Sequence, residues 1–151
     1  MIHALNSTST KYLVIGGYAV LYYGYSNRQV DDLDIWVNNS QDNAERLISA
    51  LQTLLQNNEP PSIERLVKPT PLKIDLRNSR YEVELLTMVK GVSFENAYSD
   101  RKVSSQDGEN IDIVSIGDLL TIKRIAAQES ATRLHKELKD IGFLESRSEE
   151  Q

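Results

Sequence analysis

The stretch YLVIGGYAVLYYGYSNRQVDDLDIWV, residues 12–37, constrains the fold more than any other part of the chain. Tyr12 to Ile15 is an apolar run short enough for a buried strand, and Gly16-Gly17 stops it. Tyr18 to Tyr23 is rich in large apolar residues and reads as a short helix after that turn. Asp32 to Val37 then alternates, with Leu33, Ile35 and Val37 on one face and Asp32, Asp34 and Trp36 on the other. That is the period of a half-buried strand. Strand, turn, helix and second strand in so short a span call for an α/β chain with helices laid against a sheet.

The rest of the chain extends this pattern. Ser40 is a candidate N-cap for a helix through about Leu55, with Ala44, Leu47, Ile48, Leu51 and Leu54 on one side. QNNEPPSI breaks it. Two alternating segments follow. In Leu72 to Leu76, Leu72, Ile74 and Leu76 oppose Lys73 and Asp75. In Tyr81 to Leu86, Tyr81, Val83 and Leu85 oppose Glu82, Glu84 and Leu86. Asn78-Ser79 between them is a candidate hairpin turn. Ile111 to Val114 is the last expected strand. Ser115-Ile-Gly-Asp118 reads as a capping-box variant opening a helix with Leu119, Leu120, Ile122, Ile125 and Ala126 inward. A second helix from about Ser130 to Leu144 has Leu134, Leu138 and Ile141 at helical spacing, and residues 146–151 are expected to fray. With no repeat and no linker, residues 1–151 are expected to form one α/β (α+β) domain, a small mixed sheet flanked by helices with a C-terminal helical pair.

Composition excludes several chemistries. The chain has no cysteine, so disulfides, thiolate metal sites and cysteine nucleophiles are ruled out, and its two histidines, His3 and His135, lie far apart. A net charge of −5 argues against broad charge-driven binding to nucleic acid. No apolar run reaches the ~20 residues of a membrane span, and MIHALNSTST lacks a signal-peptide pattern, so a cytoplasmic location is expected.

Chemistry concentrates in the acidic strand. Asp32 and Asp34 leave the same face with Cα atoms ~6.5–7 Å apart, whereas Asp31 points elsewhere and reads as a surface or capping residue. Two carboxylates brought to 4 Å repel by about 4 kcal/mol at an effective dielectric of 20. Solvent, a basic side chain or a divalent cation must offset that. Magnesium is held by one or two carboxylates together with substrate phosphates, and a D-x-D pair on a rigid strand meets its demand for hard oxygens. The alternative is an ordinary solvated strand face. Gly16-Gly17 likewise either makes a turn or lets backbone N–H groups approach phosphates. It is neither a P-loop nor G-x-G-x-x-G.

Gly16-Gly17-Tyr18-Ala19-Val20, Gly24, Arg28 and Asp32-Leu33-Asp34-Ile35 together resemble the minimal nucleotidyltransferases of the DNA polymerase β-like superfamily. The resemblance continues in Glu84-Leu85-Leu86, where that family carries a third carboxylate before a Leu-Leu pair, and in Gly91, Phe94 and Ala97. Asp118-Leu119-Leu120 with Lys123 is similar to the family's Asp-Leu-x-x-x-Lys helix start. Arg133, Lys136, Glu137 and Asp140 are similar to its Arg-x-Lys-Asp-x-x-Asp segment. The likeness covers nearly the whole chain. It departs at Val30, where the family has threonine, at Tyr23, where it often has histidine, and at Glu84 and Glu137, which replace aspartates.

The resemblance implies a Mg²⁺-dependent nucleotidyltransferase, Mn²⁺ being an alternative ion, that moves a nucleoside monophosphate from an NTP such as ATP to a hydroxyl on a protein, RNA or small molecule. Asp32, Asp34 and Glu84 would be the catalytic and metal-holding triad. Gly16, Gly17, Arg28 and Lys123 would meet the nucleotide. Family members of this size are often one half of a toxin–antitoxin pair with a helical partner protein. The competing expectation is a catalytically lapsed copy, a nucleotide- or partner-binding module of the antitoxin-like kind. The residues leave local alternatives open. Asp75 or Glu82 rivals Glu84, Arg28 is also a candidate structural ion pair with Asp31 or Asp32, and Lys123 fits a solvated helix face. The tyrosines 18, 22, 23 and 25 suit either base stacking or packing.

Overall fold

The computed structural model describes residues 1–55, 59–69, 71–74 and 82–150. In chain order these form α1 (Ile2–Ser7), β1 (Tyr12–Val14), α2 (Gly16–Tyr22), β2 (Asp32–Val37), α3 (Gln41–Gln52), α4 (Ile63–Leu66), β3 (Pro71–Ile74), β4 (Glu82–Leu86), α5 (Phe94–Ser99), β5 (Lys102–Gln106), β6 (Glu109–Ile113), α6 (Ile116–Glu129) and α7 (Leu134–Glu149). The strands make one mixed sheet in the order β3-β4-β2-β1-β6-β5. β2 runs parallel to β4 and β1 parallel to β6, while β1–β2, β3–β4 and β5–β6 are antiparallel. Asp75 and the Asn78-Ser79 turn lie outside the described residues. No described helix is long and apolar enough to cross a membrane.

Strand alternation sets the two faces. Val14, Ile35, Val37, Leu72, Ile74, Val83 and Leu85 share one face by register and are buried with Ala44, Leu47 and Leu51 of α3. The other face carries Asp34 and Glu84 toward one end and Trp36 toward the other, where α5 covers the indole edge-to-face through Phe94. The starts of α3 and α6 are fixed by hydroxyl caps. Ser40 Oγ accepts the Asn43 N–H at 3.3 Å. Ser115 Oγ accepts the Asp118 N–H at 3.2 Å and donates to the Asp118 carboxylate at 2.9 Å, the capping-box variant expected there.

Several elements differ from the sequence expectation. Gly16 and Gly17 form the first turn of α2 instead of preceding it. α1 and α5 were not expected; both are too short for a periodic signal. The hairpin β5–β6 turns on Asp107-Gly108, both at positive φ (52° and 81°), yet β5 is exposed along most of its length and shows no apolar alternation. The last helix continues through Glu149, where a frayed tail was expected.

The largest departure is the inward face of α7. Leu134 and Leu138, expected inside, are 39% and 54% exposed, and Glu137 and Asp140 are fully buried in their place. The helix is turned so that these carboxylates meet Lys123 of α6, itself buried. Lys123 Nζ lies 2.9 Å from Glu137 Oε2 and 2.8 Å from Asp140 Oδ2. Arg28, in the loop before β2, donates from Nε and Nη2 to the two Asp140 oxygens at 2.8 and 3.2 Å. Burial raises the Asp140 carboxyl, but its bonds to Arg28 and Lys123 outweigh that and hold it below the usual range.

Removing one member of such a network strands the other charges in low dielectric. Asp140→Ala is therefore expected to cost about 3–5 kcal/mol in urea unfolding. Leu138→Ser, at the position expected to be core, is expected to change stability by less than about 0.5 kcal/mol. A larger loss at Leu138 than at Asp140 would refute this account of the α6–α7 packing.

Candidate active site

Parallel pairing of β2 with β4 places Asp34 beside Glu84, one strand apart on the same face, with Asp32 two residues upstream. Oxygens of Asp32, Asp34 and Glu84 come within 4.8 Å of one another, and all three residues are half-buried. Register also puts Glu82 opposite Asp32, but Glu82 is exposed and accepts from Lys73 Nζ at 2.7 Å. Among the described residues Glu84 is thus the third member of the cluster.

The turn entering α2 sits directly against this cluster. Gly16 has φ +64°, and a Cβ there would lie 2.1 Å from Asp34 Oδ2, so both conformation and space demand glycine. A Cβ on Gly17 would lie 2.9 Å from Val30 Cγ2, so the valine at the family's threonine position closes over that glycine. Burial, then the neighbouring Asp32 and Glu84 charges, push the Asp34 carboxyl up to about 6, against a smaller opposing pull from Lys123 and Arg133.

The residues assigned from the sequence to the triad and to the nucleotide meet here. Gly16, Gly17, Arg28, Asp32, Asp34, Glu84 and Lys123 line one polar cleft of about 180 Å³. Arg133 and Lys136 line it as well; they entered the sequence reading only as part of a motif, with no role assigned. Arg28 and Lys123 are bound to Asp140 and Glu137 and form the floor of the cleft, whereas Arg133 and Lys136 are exposed at its rim. Arg133 Nη2 stands 3.4 Å from Glu137 Oε1.

The tyrosines lie elsewhere. Tyr23 is buried and donates to the Val114 carbonyl at 2.7 Å, and burial raises its hydroxyl. Tyr25 stacks on Phe143. Tyr18 and Tyr22 line a larger cavity of about 610 Å³ with Ile2, Leu33 and Ile111. Among the described residues no carboxylate, histidine or cation lines that cavity.

Three carboxylates at this separation suit a hard divalent cation. An octahedral Mg²⁺ holds its oxygens at about 2.0–2.1 Å, and carboxylate oxygens gathered within 4.8 Å of one another stand close to one shared coordination shell. A cation would also relieve the repulsion that raises Asp34.

A solved structure of an antigenic nucleotidyltransferase-like protein from Paracoccidioides brasiliensis matches the chain with a TM-score of 0.62. Sequence identity is 16%, and the match covers 95% of this chain and 71% of that one. The chain has the nucleotidyltransferase-like fold: a mixed six-stranded sheet, flanking helices and a C-terminal helical pair. No protein-family model and no curated protein matches it by sequence.

The Asp34 environment predicts a pH-dependent stability. Its folded value near 6 stands above the ordinary 3.8, so the folded chain holds the extra proton between those values. Ionising Asp34 then costs stability, nothing below about pH 4 and about 3 kcal/mol above about pH 6. In metal-free buffer Asp34→Asn is expected to unfold later than wild type at about pH 8, with the gain vanishing near pH 4. A pH-independent difference would contradict the assignment.

Proposed function

We propose that the protein transfers a nucleoside monophosphate from a nucleoside triphosphate to a hydroxyl acceptor, releasing pyrophosphate. The observation that carries this reading is the convergence of Asp32, Asp34 and Glu84 against the Gly16 turn, in a polar cleft rimmed by Arg133 and Lys136. The nucleotidyltransferase-like fold supports it.

The triphosphate lies along the polar cleft, where the cations on α6 and α7 and the loop residue Arg28 offset its charge. The acceptor oxygen attacks the α-phosphorus and forms the new P–O bond. The bond from that phosphorus to the α,β-bridging oxygen breaks, and pyrophosphate carries away its electron pair. Glu84 accepts the hydroxyl proton. Asp32, Asp34 and Glu84 would hold Mg²⁺ or Mn²⁺, which supplies charge neutralisation of the phosphates when bound. The chain's own contribution is positioning: a rigid sheet fixes the carboxylates, and the buried network fixes the cations.

A second reading, a nucleotide-binding module without turnover, draws support from Arg28 and Lys123. Both are engaged by Asp140 and Glu137, so they offer charge to a ligand more readily than direct bonds.

Incubation with each α-labelled NTP, Mg²⁺ or Mn²⁺ and a cell lysate separates the two. Label is expected on an acceptor and is expected to fall at least about 10²-fold in Asp32→Ala/Asp34→Ala. Equal labelling by both proteins would sink the catalytic assignment. ATP binding with no transfer would favour the module. Mn²⁺ at about 100 times its Kd is expected to stabilise wild type by about 3 kcal/mol and to leave the double variant unmoved.

A further inference from the structure

The two edges of the sheet differ in how they are protected. β3, at one edge, opens with Pro71, which has no backbone N–H to offer, and its Lys73 is held by Glu82. β5, at the other edge, has neither device. Lys102 to Gln106 pair with β6 in unbroken register, with no bulge, proline or glycine. Among the described residues nothing pairs with the outer edge of β5. The outward half of its backbone donors and acceptors is therefore left to solvent, and Val103 is 53% exposed.

The cavity of about 610 Å³ reaches this edge. Ser104 and Gln106 of β5 line it together with Ile111 and Ile113 of β6, Ile2 and Tyr22. Alternation and register account for that. Lys102, Ser104 and Gln106 share the face of Ile111 and Ile113, whereas Val103 and Ser105 share the other face with Asp112 and Asn110.

We propose that β5 is a dimerisation edge, at which two copies of the chain pair antiparallel across a two-fold axis at Ser104 and join their sheets into one. An axis normal to the sheet brings together residues of the same face. Only an axis at Ser104, the middle of Lys102–Gln106, pairs the whole strand with its copy. In that register Ser104 meets Ser104, Val103 meets Ser105, and Lys102 meets Gln106. No charge faces its like. Lys102 opens the strand and Asp107 follows its end, so each copy sets its lysine next to the aspartate of the other. This self-complementary charge order selects a second copy over a foreign strand. Lys102 of the second copy also stands opposite Gln106, at the cavity, where its aliphatic stem covers apolar lining while its charge stays in water. β6 and β1 separate β5 from the strands of the acidic cluster, so the pairing is independent of the function proposed above.

Sedimentation velocity of the full chain tests the proposal. Wild type is expected to form a dimer with Kd below about 100 μM that dissociates on dilution. Ser104→Lys and Ser104→Glu each set like charges across the axis and are expected to weaken the dimer about tenfold or more. An equimolar mixture of the two variants is expected to restore it, a result that misfolding of either one does not give. A second arm needs no charge at the axis. The chain has no cysteine, so Ser104→Cys is expected to yield a disulfide-linked dimer on mild oxidation. Facing Cα atoms of an antiparallel pair, about 4.5–5.5 Å apart, lie within disulfide reach. Val103→Cys, which meets Ser105 instead of itself, is expected to cross-link more slowly. A wild type that stays monomeric at about 100 μM overturns the proposal, and so does a species larger than a dimer. A dimer indifferent to both charge variants, or equal cross-linking of the two cysteine variants, overturns it as well.

Discussion

The buried network joining Arg28, Lys123, Glu137 and Asp140 is the interaction on which the rest of the site depends. It ties α6 to α7 and both to the loop that leads into β2, and so connects the helical pair to the acidic strand. Stability alone does not account for it, because well-packed apolar residues of similar volume do as well or better than a buried ion pair. What apolar residues do not supply is charge. With Arg133 the network holds three cations against two carboxylates, a surplus of one positive charge directly beneath Asp34 and Glu84. In a chain of net charge −5 this surplus is a local counterweight to the carboxylates of Asp32, Asp34 and Glu84.

The sheet supplies the opposite requirement. Asp34 has little freedom: its strand pairs on both sides, and the Gly16 backbone stands where any side chain would collide with its oxygen. Holding a carboxylate half-buried next to two others destabilises the folded chain, as the upward displacement of Asp34 records. Strain of this sort at a cluster of hard oxygen donors is a usual mark of a functional site rather than a scaffold. Rigid anions from strands and fixed cations from helices divide the work cleanly.

The legibility of these features in the sequence follows the range of the interactions involved. Strand periodicity separates Asp32 and Asp34 from Asp31 without help, because alternation is a local property of one segment. Glu84 needs the register between β2 and β4, which no local pattern contains; its motif context pointed to it, and the ladder brings it beside Asp34. The buried face of α7 was misread for a physical reason. Helical periodicity assumes that leucines turn inward, and at Leu134 and Leu138 the demand of Lys123 for counter-charges overrode it. The β5–β6 hairpin was legible only in Asp107-Gly108, since its exposed strand carries no alternation to flank the turn. Lys123 shows the same limit from the other side: a lysine on an amphipathic helix reads as solvated, and only the tertiary structure supplies the two carboxylates that bury it.

The α6 helix brings both halves of the site together. Its polar contribution, Lys123, turns under the carboxylates and makes the floor of the charged cleft. Its neighbours Ile122, Ile125 and Ala126 turn toward β4 and make an apolar wall. One helical turn therefore spans the boundary between the two environments, and Glu84 lies on that boundary. A carboxylate so placed touches charge on one side and an apolar surface on the other.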